Sequence, residues 1–361
     1  MAIALGHILL ASIIATLTVT NLHAEVIFAS WGGAYEASQQ KAYVDTWKDG
    51  KVVFKIYSGG LDEVRDQVSS GNVVWDVVDV LPHEARLGCD EGLFEELDRD
   101  MFRPAADGTA MDDDVMVLVP NDCVVPLTYW SYVPFYQQGT YSGPQPSSIA
   151  DFFDVKKYPG KRGIRSWPDG LIEMALVADG VAIQNVYKVM STEAGIDQAF
   201  RVLDRIRDQR VFWTYGKEPI ELVKSGAVAM SLAYNGRIGA AVLTRGEKFV
   251  TIWDGQVLQE EWLVMLKGAP HRAEALKFLV HTSAPEQQAA QARYINYGPM
   301  RASAFDIILA GEPWFHNGKE VMEHMPNRPE LMSRTIVANP DWWAENGAPV
   351  AERYAVWMFT E

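Results

Sequence analysis

The sequence predicts an α/β fold built on a mainly parallel sheet covered by helices. Two observations carry this. Short β-branched and aromatic runs alternate with segments of helical spacing from residue 25 onward. Turn signals rich in Gly, Ser and Asn separate them, and such β-α-β-α order favours parallel pairing with helical cover.

The elements follow in order. Residues 25–29 form a short apolar strand that runs into Ser30, Trp31, Gly32 and Gly33, and residues 36–48 read as a helix. A Trp beside two glycines at a strand exit either plugs a core or walls a site, because glycines permit a sharp turn and close approach. Residues 52–57 form a second strand, and Leu61, Val64 and Val68 recur at helical spacing. Residues 75–80 form a third strand after the Ser70-Gly71-Asn72 turn, and residues 84–89 fit a helix. Ligands of such sheets sit beyond the C-terminal strand ends, here Ser30-Trp31, Ser58 to Gly60, and Asp79 to His83. A Tyr- and Pro-rich stretch over 120–138 leads to a second αβ block over about 149–252. Within it residues 228–233 form a strong strand that ends at Tyr234-Asn235-Gly236. Residues 261–266 are another strand, residues 273–281 an amphipathic helix, and Pro340 to Trp343 open the tail.

The chain of 361 residues is 48% hydrophobic and 22% charged, enough for two domains. Residues 1–24 hold no Asp, Glu, Lys or Arg. Their apolar stretch is short for a bilayer and ends at Ala24, so it reads as a signal peptide cleaved after Ala24; an uncleaved anchor is the other reading. The formal charge of −15 makes nucleic acid and anionic membrane poor partners and cations reasonable ones. Cys89 and Cys123 read as one disulfide in an oxidising compartment. Closing a loop of roughly thirty residues contributes about 3–4 kcal/mol on chain-entropy grounds. Two buried free thiols are the other reading.

Enzyme signatures are missing. There is no GxSxG elbow, no GxxxxGK loop and no GxGxxG after a strand. Pro82-His83-Glu84 begins like a zinc helix, but position 87 is Leu, and the later histidines are scattered. No cofactor or metal is expected.

Four stretches in sequence, FASWGGAYEASQQKAYVDTW, SGNVVWDVVDV, DFFDVKKYPGKRGI and AMSLAYNGR, resemble the periplasmic substrate-binding proteins of ABC importers, and within them the spermidine/putrescine-binding group. The resemblance covers nearly all of the chain after residue 24. It implies a two-lobed periplasmic binding protein fold, type II-like, with the ligand in the interlobe cleft. Each lobe is then a mainly parallel sheet flanked by helices. The first lobe is expected over 25–128 and 256–311, the second over 129–255 and 312–361, with crossovers near 124–135 and 253–255. It further implies a monomeric receptor in the periplasm that delivers its ligand to a membrane ABC permease by hinge closure.

A small cationic amine needs aromatic walls for its methylenes and ammonium groups, and carboxylates to accept its hydrogen bonds. Trp31 and Tyr35 match the resemblance's aromatic pair after the first strand. Asp169 and Glu173, at i and i+4 near a helix start, are read as paired carboxylates on one face, Asp169 alternatively as a cap. Tyr234 stands where the group has a Trp, and Glu261 where it has a carboxylate; Trp262 must then face the core, since neighbours on a strand point oppositely. Tyr297, Thr214, Asp79 and His83 complete the candidate contacts. Gln259 replaces the usual aromatic, which thins the cage and leaves quaternary amines, amino-acid derivatives and opines open. A zwitterion would use Arg165 or Arg237, although Arg237 is read as an inter-strand salt bridge. Residues 151–164, with Lys156, Lys157, Lys161 and Arg162, are read as a solvated lead-in to the second lobe, and Trp342 and Trp343 as packing of the tail. Two further hypotheses are a ferric-iron receptor, disfavoured because no Tyr-Tyr pair exists, and an exported enzyme.

Overall fold

The computed structural model describes residues 25–360; the expected signal peptide lies outside the described residues. One mixed sheet runs through the molecule. Its strands are β1 (Glu25–Ser30), β2 (Lys51–Ile56), β3 (Val77–Val80), β4 (Val124–Gln137), β5 (Arg162–Arg165), β6 (Arg210–Trp213), β7 (Met230–Tyr234), β8 (Phe249–Thr251), β9 (Val257–Met265), β10 (Gly298–Pro299) and β11 (Ile336–Val337). The main path is β2-β1-β3-β9-β4-β7-β5-β6. The triplets β2-β1-β3 and β7-β5-β6 are parallel, and each is the sheet of one lobe. The long antiparallel strands β4 and β9 join them, paired from Val124↔Val264 to Tyr132↔Val257. The fold is α/β and two-lobed, and the cleft opens where the strand exits of both lobes converge.

Alternation of side chains along the strands builds a core on each face of the first sheet. Val26, Phe28, Val77 and Leu263 pack with Phe278 on one side. Ala29, Val78, Val80, Trp262 and Val264 pack with Trp75 on the other. All of these are buried, which is why these runs read as continuous apolar strands. The second lobe centres on Phe152, Ile164, Ile172, Leu232 and, from the C-terminal helix Pro340–Phe359, Trp342, Tyr354 and Trp357. Cys89 and Cys123 are bonded, S–S 2.00 Å, and tie the end of helix Pro82–Asp90 to the start of β4.

Two expectations change. The helix expected over 36–48 is a short α-helix, Gly33–Gln39, continued by a wider π-type turn, Gln40–Val44. Arg162 is fully buried rather than solvated. Its guanidinium donates to the carbonyls of Phe152 (2.7 Å), Tyr158 (2.5 Å) and Gly160 (2.7 Å), closing the loop before β5. A buried cation stays because its hydrogen bonds are met.

Candidate ligand-binding cleft

The first-lobe wall begins at the exit of β1. Gly32 and Gly33 have φ of +69° and +64°, the left-handed region that side chains avoid. They turn the chain so that Trp31 lies over Gly59, where even a Cβ would come within 3.1 Å of the indole. Tyr57 backs the indole at 5.1 Å between ring centroids.

Trp31 donates its indole N–H to one oxygen of Glu261. Trp130, on β4, donates to the other oxygen at 2.9 Å. Alternation on β9 sends Glu261 into the cleft and Trp262 into the core. Burial pushes the Glu261 carboxyl well above the usual carboxylate range. The nearby Asp79 adds to this, and the two indole donors oppose it.

The second-lobe wall forms where β5 and β7 end. Tyr234 meets Trp130 edge-on at 5.3 Å. Arg165 lies over the Tyr234 ring, 6.0 Å from its centroid, and pairs with Asp169 at 3.2 Å. Burial raises the Asp169 carboxyl, and Arg165 pulls the other way. Arg237, in the first turn of helix Asn235–Arg245, faces the same space and has no ion-pair or hydrogen-bond partner among the described residues. Its guanidinium reaches across to the first lobe, where a Cβ on Gly33 would stand 3.4 Å from it. Tyr297 lies on Gly236 and 5.7 Å from the Tyr35 ring.

The cleft encloses about 660 Å³. Of the candidate contacts, Trp31, Tyr35, His83, Asp169, Tyr234, Glu261 and Tyr297 line it. Three do not. Asp79 is fully buried beneath the wall, accepting from Gln39 (2.7 Å), Ser30 (2.8 Å) and the Tyr35 hydroxyl (3.2 Å). Glu173 is also buried, because Gly170 (φ +78°) turns the chain and the helix begins only at Leu171. Asp169 thus precedes the helix, and the i to i+4 face does not exist. Thr214 sits outside, bonded to Ser166 and held by Glu218.

Arg237 is a further correction: it stands on a helix, not a strand, and makes no salt bridge among the described residues. Trp342 fills the second-lobe core as expected, and Trp343 packs against that core while also lining the cleft. Sequence reasoning missed Trp130, Trp167 and the C-terminal helix as walls. Trp130 alternates with Tyr129 and Ser131 on a strand, but nothing local says which side faces the cleft. Trp167 was visible beside Pro168 and Asp169.

Residues 43–323 match the family described as bacterial extracellular solute-binding protein. The chain belongs to this family. It is 35% identical to the gamma-aminobutyric acid-binding protein of Pseudomonas aeruginosa, over 91% of this chain and 89% of that one. Among solved structures it is similar to the binding protein MotA of A. tumefaciens B6 in complex with glucopine: 28% identity, TM-score 0.78, 93% of this chain and 100% of that one. It is also similar to a solved GABA receptor: 26% identity, TM-score 0.77, 94% of this chain and 98% of that one. The likeness to the spermidine/putrescine group is of fold alone. Such a protein from Streptococcus pneumoniae is 12% identical, with a TM-score of 0.67 over 92% of this chain and 99% of that one. The chain is therefore a substrate-binding receptor of an ABC importer, which binds a small ligand and delivers it to the permease. It is not an exported enzyme.

Proposed function

We propose that this receptor binds a small zwitterion, an amino-acid derivative such as a γ-amino acid or an opine, rather than a polyamine. The carrying observation is Arg237, a guanidinium that faces the cleft without an acidic partner among the described residues. Arg165 and Asp169 largely neutralise each other. Among the described residues, that leaves Arg237 as an uncompensated guanidinium in the cleft and Glu261 as an acid held by indoles. A ligand carrying one carboxylate and one ammonium complements that pair, and like-charge juxtaposition disfavours a diamine beside Arg237.

In this reading Arg237 takes the ligand carboxylate and Glu261 its ammonium, whose positive charge favours the ionised carboxylate against the burial that otherwise raises it. Trp31, Tyr35, Tyr234 and Tyr297 wall the methylenes. The gamma-aminobutyric acid-binding relative and the glucopine-bound neighbour support the same ligand class. We further propose the division into lobes 25–128 plus 256–311 and 129–255 plus 312–361, and export to the periplasm with cleavage after Ala24. The continuous strands β4 and β9 support crossovers between the two lobes.

Calorimetry of the ligand-stripped protein tests the reading. The panel is γ-aminobutyrate, glucopine, putrescine and spermidine. Binding of a zwitterion with no heat from the diamine is expected. Binding of putrescine or spermidine alone would overturn the zwitterion reading and restore the cationic-amine one.

A further inference from the structure

Glu173 is an odd residue to find where it is. It is 0% exposed in helix Leu171–Ala178, whose Leu171, Ile172, Met174 and Leu176 are buried too. One carboxyl oxygen accepts two hydrogen bonds, from Trp343 Nε1 at 2.6 Å and from the Tyr187 hydroxyl at 3.1 Å. The other oxygen has no partner among the described residues. A buried acceptor left half-satisfied costs stability, so such a group needs a reason.

The reason lies in what the bonded oxygen holds. Trp343 is a wall of the cleft. Tyr187, the second donor, itself accepts from the backbone N–H of Asn339 at 2.8 Å. Asn339 is the N-cap of the C-terminal helix, and its side chain accepts from Trp342 N at 3.0 Å. One oxygen therefore fixes both the indole and the start of the helix that bears it. The next residues of that first turn work at the cleft. Pro340 lines it, and Asp341 pairs at 2.8 Å with Arg86 of helix Pro82–Asp90, on the opposite lobe. Further along the same helix, the Tyr354 hydroxyl donates to the carbonyl of Arg165, whose guanidinium pairs with Asp169 in the cleft.

We infer that Glu173 is a positioning residue for ligand binding: without touching the ligand, it sets the first turn of the C-terminal helix as the cleft wall through Trp343 and Tyr187. The inference rests on the cleft being the ligand site, and not on the charge type of the ligand. Glu173→Leu removes the acceptor and frees both donors. Glu173→Gln keeps an acceptor oxygen at the same place.

The test uses the full mature chain with γ-aminobutyrate, glucopine and putrescine as probes in calorimetry. For whichever probe the wild type binds, Glu173→Leu is expected to raise Kd at least tenfold and Glu173→Gln to stay within twofold. Trp343→Phe keeps a ring but removes the donor, and a loss of threefold or more is expected. In a double-mutant cycle, Trp343→Phe adds little to Glu173→Leu, because both break one interaction. Trp357→Phe is the control: it breaks a bond to Asp204 at the far end of the same helix, away from the cleft. It is expected to lower the melting temperature and leave Kd within twofold. An unchanged Kd in folded Glu173→Leu, or in Trp343→Phe if the first variant does not fold, overturns the inference. Should the wild type bind no probe, the zwitterion reading fails by itself. The positioning role then stands or falls on the 19F resonance of 5-fluorotryptophan at Trp343, assigned by its absence in Trp343→Phe. A shift in Glu173→Leu with return in Glu173→Gln supports it, and an unmoved resonance in Glu173→Leu overturns it.

Discussion

Replacing Arg237 with Met is the sharpest perturbation of the charge reading. In the structure the guanidinium bonds to no other group among the described residues, so its removal strands no buried acceptor. The ligand-free protein should therefore keep its melting temperature to within a degree or two. The ligand loses a charge-assisted hydrogen bond, worth about 1.5–3 kcal/mol. That corresponds to a rise in Kd of roughly ten- to a hundredfold for γ-aminobutyrate or glucopine. Arg237→Lys keeps the charge but not the planar fork and should fall between. The sign for a diamine is opposite, because removing a cation from the cleft relieves repulsion. Calorimetry with γ-aminobutyrate and putrescine on both variants reads the two signs together. A folded Arg237→Met protein with unchanged zwitterion affinity, or with weakened putrescine binding, would refute the reasoning.

Two further predictions concern packing and protons. At Gly236 a Cβ would lie 2.4 Å from the Tyr297 ring, so Gly236→Ala must displace that ring from the cleft. A stability loss of about 1–3 kcal/mol in denaturant unfolding is expected, together with weaker ligand binding; unaltered values in both would show that the ring yields freely. Burial holds the Glu173 carboxyl up to about 7, against 4.5 in an unfolded chain. The native state thus keeps a proton that the unfolded chain has already lost, and the stability this confers is full below pH 4.5 and lost as pH rises through about 7. Melting temperature should fall across that window, and Glu173→Gln should flatten the fall. A slope that is identical in the variant would assign the titration elsewhere.

Much of the architecture was legible because its signals are local. β-Branched runs separated by Gly, Ser and Asn mark strands wherever they occur, and the alternation of strands and helices restricts the topology. The turn at Gly32 and Gly33 and the opposite facing of Glu261 and Trp262 likewise follow from backbone geometry within a few residues. The pairing of Asp169 with Glu173 misled for a local reason too. A single glycine, Gly170, at φ +78° delays the helix and rotates the two carboxylates apart.

The sequence by itself determined the α/β class, the strand exits that face a cleft, and part of its lining, Trp31, Tyr35, Tyr234, Glu261 and Tyr297 among them. Only the tertiary structure decided what those residues meet. Trp31 reaches Glu261 across 230 positions, and Glu173 reaches Trp343 across 170. No periodicity spans such a distance, because register along a strand or helix fixes direction but not partner. The most consequential case is Arg237. Its residue type says only that a positive charge is present. Whether that charge is spent on a neighbouring carboxylate or left to face the ligand depends on how helix Asn235–Arg245 packs at the lobe boundary. Asp169, which lines the same cleft, already belongs to Arg165.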